Sequence, residues 1–277
     1  MLGLGYGLGM LVPEVEGVSY IAFLAGGTLA YSTMNAATFE ALYSGFSRMH
    51  TQKTWEAIMN APVSLDDIVA AELLWAASKA CLAGVAILAV IAAFGFAASP
   101  LALAVIPVIF LTGLCFAALG LIMTALAPSY DFFMYYFTLV ITPMTLLSGV
   151  FFPQGQLPDA VRAVAQWLPL SHAVALVRPL LLGQMPGQIG LHLAVLAGIA
   201  VAAFWLALGL TRPDYLFVPP TQTKGKAYAQ MIDAAEKQGT QIVSAAQNMT
   251  FTLGRARVTF IGPAPSSPSS SRGMKWC

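Results

Sequence analysis

Charged residues are scarce in this sequence, and their scarcity excludes several classes of protein. Of the 277 residues, 9% are charged and 58% are apolar, and the mean hydropathy is +0.76. Soluble domains usually carry about 25% charged residues. The composition therefore excludes an ordinary soluble enzyme, a disordered protein and a nucleic-acid binder that depends on a basic surface.

Cysteine and nucleotide-binding motifs are also lacking. Two of the three cysteines, Cys81 and Cys115, lie inside apolar runs and the third is the terminal Cys277, so the chain has no disulfide framework. The phosphate-binding pattern G-x-x-x-x-G-K-[ST] does not occur in the sequence. If ATP drives this protein, the nucleotide must be hydrolysed by another polypeptide.

Five long apolar segments dominate what is present, each near the roughly 20 residues that a helix needs to cross a bilayer. Breaks containing proline or glycine separate them, and they cover about 18–38, 67–96, 101–126, 132–152 and 189–211. Backbone groups inside a bilayer must satisfy their own hydrogen bonds, so all five are predicted to be helices. Residues 1–12 are predicted to be the last half of a further spanning helix. The predicted fold class is an all-α polytopic membrane protein.

The distribution of lysine and arginine predicts the orientation in the membrane. Arg48 and Lys53 lie between the first two full segments, so the connection 39–66 is predicted to be cytoplasmic. Alternation then places the long connection 153–188 outside and the tail from Arg212 inside. The tail holds eight Lys or Arg against three Asp or Glu, which agrees with this orientation, whereas two arginines in the outer connection count against it.

The connection 39–66 contains a predicted amphipathic surface helix. Helical spacing places three apolar side chains on one side of it, namely Trp55, Ile58 and Met59. Ser64 and Asp67 have the spacing of a capping box that would begin the next membrane helix. A rigid element between two spans suits the transfer of force from a soluble partner. The alternative is a helix that only rests on lipid headgroups.

Two charged residues lie on one side of the second full segment. Glu72 and Lys79 are seven residues apart, which is about two turns or 10 Å along a helix, so they are not expected to touch. A charge at the centre of a bilayer costs on the order of 2.5–3.5 kcal/mol. We expect these side chains to snorkel, to pair with another group, or to have a role in substrate handling or gating.

The outer connection contains two apolar helical pieces, at about 157–168 and 171–182, that are too short to span and are broken by prolines. Such pieces are best explained as re-entrant or interfacial helices. Trp167 has the position of an aromatic residue at the membrane interface. His172 is interpreted as a lone hydrogen-bonding residue, with metal binding or titration as the alternative.

Motifs in both connections carry a resemblance to a known family. The outer set is Gly149, Phe151-Phe152-Pro153, Leu157-Pro158, Leu168-Pro169-Leu170, His172, Arg178 and Gly183, and the other set is Phe39-Glu40, Phe46, Arg48-Met49, Thr54-Trp55 and Pro62. Over about 1–212 the chain resembles ABC-2 type transporter permeases. It is most similar to members that export amphiphilic glycolipid-like substrates, including lipo-chitooligosaccharides.

The resemblance implies six spanning helices, a cytoplasmic coupling helix between the second and third, and re-entrant outer helices before the sixth. It implies a transport subunit of the bacterial inner membrane rather than an enzyme. The expected partners are a separate ABC ATPase, a second permease copy and the lipid bilayer, and we expect no cofactor and no nucleic acid. Members also have an N-terminal interfacial helix that contacts the ATPase, and this sequence does not show it.

Two groups of residues are predicted to serve transport. The ATPase-coupling group is Arg48, Lys53, Trp55, Glu56 and Pro62. The transport-path group is Glu72, Lys79, Phe132, Phe133, Tyr135, Tyr136, Phe152, Trp167, His172 and Arg178. The four aromatic residues from Phe132 to Tyr136 are expected beneath the re-entrant stretch, where the alternative is a belt of lipid-facing rings.

The tail differs in character from the rest, so the predicted domains are 1–212, 213–263 and 264–277. The middle one is predicted to be α+β, with a helix at 225–238 and short strands at 214–219, 241–244, 249–253 and 256–261. It faintly resembles a fragment of the metallo-β-lactamase-like domain of DNA-uptake proteins, without a His-x-His-x-Asp-His metal cluster. The last is low in complexity. A DNA-uptake channel with a degenerate tail and an inactive truncated or fused product are the rival interpretations.

Overall fold

The structure is a computed structural model that describes residues 14–15, 17–97 and 99–211. It also describes Gly3, Gly7, Ile232, Asp233 and the backbones of four strands in the tail. The chain divides into two units, Met1–Thr211 and Arg212–Cys277. The predicted half-helix at 1–12 and the tail segments 225–238 and 264–277 lie outside the described residues, apart from those single positions.

The first unit is helical. A short hairpin of β1 (Glu14–Val15) and β2 (Val18–Ser19) turns at Gly17, whose φ of 77° favours glycine, and leads into the first helix. The helices are α1 (Tyr20–Phe39), α2 (Thr54–Ile58), α3 (Leu65–Ala93), α4 (Val105–Leu126), α5 (Asp131–Leu147), α6 (Asp159–Ala165), α7 (Pro169–Leu181) and α8 (Ile189–Thr211). A 3₁₀ turn, Pro100–Ala104, precedes α4. The predicted all-α polytopic membrane fold is confirmed.

Helix α4 is the centre of the bundle. It packs against α1, α3, α7 and α8, and 61% of its most apolar stretch is buried, compared with 33% for α3 and 28% for α8. The fully buried side chains along it include Ile109, Phe116 and Leu121. Helix α1 also packs directly against α3 and α7, and α7 packs against α8.

Small residues allow these helices to approach closely. A Cβ atom added at Gly120 of α4 would lie 2.7 Å from the Cβ of Ala41, and one at Gly84 of α3 would lie 2.6 Å from Ile109. Both distances are shorter than two carbon atoms tolerate. Lipid tails are as apolar as the helix surfaces, so the hydrophobic effect does not drive helices together in a membrane. Close packing of this kind holds them together instead.

Three helical stretches are long and apolar enough to cross a membrane by length and composition, among the described residues: α3, Pro100–Leu126 and α8. The bent pair of α6 and α7 would make a fourth if it is one span. Sequence analysis predicted five, and the two differences have physical causes. The hydroxyl and amide side chains of α1, which face the bundle, lower its hydropathy. Helix α5 is too short, because it ends at Leu147, just before Gly149, whose φ is 76°.

The two predicted outer helices are confirmed as α6 and α7, which meet at an angle of 85°. Pro169 occupies the first turn of α7, where its missing N–H group costs nothing. The Ser171 hydroxyl donates to the carbonyl oxygen of Ala165 at 2.6 Å and closes the corner between them. The pair therefore forms a sharp bend, as a re-entrant element or a broken span does.

The predicted capping box at the start of α3 is also confirmed. The Asp67 backbone N–H donates to the Ser64 hydroxyl at 3.2 Å, and the Ser64 backbone N–H donates to the Asp67 carboxylate at 3.0 Å. These two bonds satisfy donors that would otherwise be unpaired at the helix end.

The second unit contains two strand pairs. β3 (Tyr215–Val218) pairs in parallel with β4 (Gln241–Ser244), and β5 (Thr250–Leu253) pairs antiparallel with β6 (Ala256–Thr259). All four strands fall within the segments that the sequence pattern predicted as strands.

The packing at α4 predicts the effect of filling a contact. Replacing Gly120→Val should destabilise the unit by about 2 kcal/mol, because the new methyl groups collide with Ala41 and neither backbone can yield. The matched control is Gly198→Val in α8, where no atom lies within 4 Å of an added Cβ. Thermal unfolding in detergent, followed by tryptophan fluorescence, measures both, and equal midpoints for the two variants would contradict the packing.

A charge network at the candidate coupling site

The candidate site begins where α1 runs on beyond Phe39. The helix continues through two π turns, Glu40–Ser44 and Ser47–Thr51, and we call residues 40–51 the α1 extension. These turns place Glu40 and Arg48 toward α3. π turns are rare and occur often at functional sites. Sequence periodicity does not reveal them, because each π turn covers only five residues, too few for a separate period to show.

Arg48 joins two carboxylates. Its Nε donates to Oε1 of Glu72 at 2.7 Å, its Nη2 donates to Oε2 of Glu72, and its Nη1 donates to Oε1 of Glu40 at 3.1 Å. The contact with Glu72 is therefore bidentate, which is the strongest geometry for an arginine–carboxylate pair.

Glu40 is the second centre of the network and is 6% exposed. Its carboxylate accepts from Lys79 Nζ at 2.6 Å, Trp75 Nε1 at 2.9 Å and the Ser44 hydroxyl at 3.0 Å, in addition to Arg48. Glu72 and Lys79 of α3 are thus connected through the α1 extension. Sequence analysis missed this connection because Glu40 is 32 positions from Glu72 along the chain.

The network balances two negative groups with two positive ones, and its charges support each other. Burial by itself raises the pKa of Glu40, yet the hydrogen bonds from Lys79, Ser44 and Arg48 together hold that pKa below its ordinary value. The hydrogen bonds with Glu72 are the main reason that the pKa of Arg48 lies above its ordinary value. Glu40 is therefore ionised and Arg48 protonated at neutral pH.

Trp55 of α2 belongs to the same network. Its ring is 3% exposed, and its Nε1 donates to Oε1 of Glu72 at 3.1 Å. The expectation that Trp55 shares one side with Ile58 and Met59 is wrong, because those two side chains are about 40% exposed. Helix α2 has only five residues, so no continuous apolar side forms, and the indole turns inward to reach Glu72.

The other predicted coupling residues lie on the surface. Lys53 and Glu56 are exposed, with Nζ and Oε2 3.8 Å apart. Pro62 is in the exposed turn between α2 and α3. The structure thus separates the five predicted coupling residues into three that a partner can reach and two, Arg48 and Trp55, that lie mainly inside.

The aromatic residues predicted beneath the re-entrant helices lie at the opposite end of α5. Phe133 packs against Tyr43 and Phe46, with ring centroids 5.3 and 5.4 Å apart, beside the α1 extension. It is the far end of α5, Thr142–Leu147, that contacts α6 and α7. That expectation was wrong because residues 132–136 form the first turns of α5, next to the turn that follows α4.

The remaining predicted path residues vary in exposure. Tyr135 and Trp167 are exposed, Phe132 and Phe152 are half-buried, and Tyr136 is buried. Arg178 of α7 donates to the carbonyl oxygens of Phe23 at 3.2 Å and Gly149 at 2.5 Å, and its guanidinium lies 3.6 Å from the Phe23 ring centroid. Arg178 therefore holds α7 against the start of α1.

His172 is not alone, contrary to the interpretation from sequence. Its Nδ1 lies 2.7 Å from Nδ1 of His192, in the first turn of α8. At that distance one ring must donate a proton and the other must accept it, so at least one is neutral. The partner was missed because His192 belongs to a different helix, 20 positions further along the chain.

Comparison with known proteins identifies the family. The ABC-2 type transporter family matches residues 1–182. The chain belongs to this family. It is 51% identical to Nodulation protein J of Rhizobium meliloti (strain 1021) over 212 residues, which are 76% of this chain and 81% of that protein. It is 50% identical to Nodulation protein J of Rhizobium leguminosarum bv. viciae over 76% and 82% of the two chains. Nodulation protein J of Azorhizobium caulinodans is 32% identical over 69% and 75%.

Membership of the ABC-2 type transporter family confirms the resemblance predicted from the sequence motifs in the two connections. This ABC-2 chain is a membrane-integral transport subunit and not an enzyme. The family implies an ABC ATPase as partner. The charge network, which involves α1, α2 and α3, lies within the matched residues.

Removing the central cation should destabilise this unit strongly. Arg48→Leu removes the guanidinium from both oxygens of Glu72 and from Oε1 of Glu40, and breaking a largely buried ion pair costs about 3 kcal/mol. The control is Arg162→Leu in α6, whose pair with Asp159 is exposed and is worth at most about 1 kcal/mol. Thermal unfolding in detergent distinguishes the two, and similar losses would show that the network does not stabilise the fold.

The histidine pair predicts a measurable coupling between α7 and α8. The single variants His172→Ala and His192→Ala and the double variant form a double-mutant cycle, in which the lost hydrogen bond should give a coupling of about 1 kcal/mol. Additive effects on unfolding in detergent would mean that the two rings do not interact. The pair His50→Ala and His192→Ala serves as the additive control.

Proposed function

We propose that this protein is the permease subunit of a bacterial ABC exporter in the inner membrane. It moves an amphiphilic substrate outward, namely a lipo-oligosaccharide, a polysaccharide or a drug-like lipid, and a separate ATPase supplies the energy. The observation that carries the proposal is the family match over residues 1–182, which coincides with the helical membrane unit. The similarity to the Nodulation protein J chains supports an ABC exporter permease, and the proposed substrate class follows from the sequence resemblance.

The proposed ATPase docking surface consists of the exposed part of α2 and the turn after it. Its charged members are Lys53 and Glu56, its apolar members are Ile58 and Met59, and Pro62 shapes the turn. This end of the bundle is the proposed cytoplasmic face. Arg48 and Trp55 support the surface from beneath, so we propose that they act through position and not through contact with the ATPase.

Two permease copies would form the complete path across the bilayer. The re-entrant pair α6 and α7 is the proposed exit, with Trp167 exposed near its corner and Arg178 fixing α7 to α1. ATP binding by the partner would shift an equilibrium between inward-open and outward-open forms. The tail is proposed to consist of an α+β segment, 213–263, and a low-complexity segment, 264–277, that are separate from the transport domain 1–212.

Exchanging the charges of one exposed pair tests the docking surface. The double variant Lys53→Glu with Glu56→Lys keeps an ion pair three residues apart but reverses the pattern offered to a partner. We expect capture of the cognate ABC ATPase by the tagged permease to fall at least tenfold, on the order of the loss of one favourable charge contact. Co-purification from membranes measures it.

A matched control is available at the other end of the bundle. Asp159→Lys with Arg162→Glu exchanges the charges of another exposed pair three residues apart, in α6, and should leave capture unchanged. Equal capture by the Lys53 and Glu56 variant and the wild type would rule out this docking surface. Failure of the wild-type permease to capture any ABC ATPase would contradict the proposed function itself.

A further inference from the structure

Helix α2 depends on the rest of the protein for its position. It contains five residues, and isolated helices of this length are not stable in water. It is joined to the α1 extension through Lys53, whose φ of 52° is left-handed, and to α3 through an exposed turn. Side-chain contacts with the other segments therefore hold α2 in place.

Glu72 is where those contacts converge. Its Oε1 accepts from Trp55 Nε1 at 3.1 Å and from Arg48 Nε at 2.7 Å, and its Oε2 accepts from Arg48 Nη2. Trp55 is in α2, Arg48 is in the α1 extension and Glu72 is in α3. One carboxylate therefore joins three segments that are separate along the chain.

The same bonds continue along α3. Arg48 connects Glu72 to Glu40, and Glu40 connects to Lys79, which is seven residues or about 10 Å further along α3 than Glu72. Each link joins opposite charges, and Glu40 and Glu72 are almost fully buried. Moving one member away would leave a buried charge without its partner, which is strongly unfavourable. The four residues should therefore move together.

We propose that Glu72 is a positioning residue that couples α2 to the membrane helices, so that displacement of α2 by a bound partner moves α1 and α3 as one body. This inference rests on the proposed function, because it assumes that an ATPase docks on α2. Glu72 is 9% exposed and both of its oxygens are engaged, so in this conformation it holds segments together and does not offer its carboxylate to a substrate.

The experiment uses the full chain and its cognate ABC ATPase in lipid nanodiscs. Glu72→Gln removes the charge and nearly keeps the shape, and Glu72→Asp keeps the charge. The matched control is Glu14→Gln, which makes the same chemical change at an exposed position in β1, outside the docking surface. Three quantities are measured: ATPase capture, permease-dependent stimulation of ATP hydrolysis, and amide hydrogen exchange across residues 54–61.

We expect Glu72→Gln to capture the ATPase within about twofold of wild type, because the docking surface itself is unchanged. Exchange across 54–61 should become about tenfold faster, as expected for loss of a hydrogen bond to a charged group, and stimulation of hydrolysis should fall by a similar factor. Glu72→Asp should recover part of both, and Glu14→Gln should change neither. A purely structural role would lower all functions together with the amount of folded protein.

A second variant guards against misfolding of Glu72→Gln. Trp55→Phe removes the indole N–H and leaves the pair between Glu72 and Arg48 intact, so it should also speed exchange across 54–61 and lower stimulation. Wild-type exchange or wild-type stimulation in folded Glu72→Gln and Trp55→Phe would overturn the inference. Absence of capture and stimulation in the wild type would instead overturn the proposed function.

Discussion

A single guanidinium between two carboxylates determines how the first three helices of this permease are arranged. A guanidinium and two carboxylates are strongly unfavourable inside a protein unless they are paired. These three charged groups can all be paired only if the α1 extension lies beside α3 in one alignment along its axis. The Trp55 indole N–H then donates to Glu72, and this hydrogen bond fixes the position of α2. The charges and hydrogen bonds of these four side chains thus fix the geometry of the proposed ATPase docking surface.

The rest of the bundle is arranged by a different constraint, close packing around α4. Gly84 leaves room in α3 for the Ile109 side chain of α4, Gly120 leaves room in α4 for Ala41, and hydroxyl groups complete the fit. Thr124 of α4, for example, donates to the carbonyl oxygen of Ala41 at 2.8 Å. A rigid bundle is what allows a small displacement at one end to reach the other, because packed helices move as bodies rather than deform.

Several elements could be predicted from sequence because their causes are local. The capping box of Ser64 and Asp67 needs only a spacing of three residues, and the corner between α6 and α7 needs only Pro169 and a run too short to span. The inward turn of Trp55 and the contact of His172 with His192 could not be predicted, since each depends on a partner in another helix. The placement of Phe133 at the Arg48 end depended on where α5 begins, which periodicity does not show.

The sequence by itself determined that this chain is a helical membrane protein of the ABC-2 type transporter family, because hydropathy, proline breaks and motif spacing act over short distances along the chain. Only the tertiary structure decided that Glu40, Arg48, Glu72 and Lys79 form one network. Glu40 and Lys79 are 39 positions apart, and the four residues lie in two segments, the α1 extension and α3. The packing of helices and the cost of leaving any of these charges unpaired settle which charges meet.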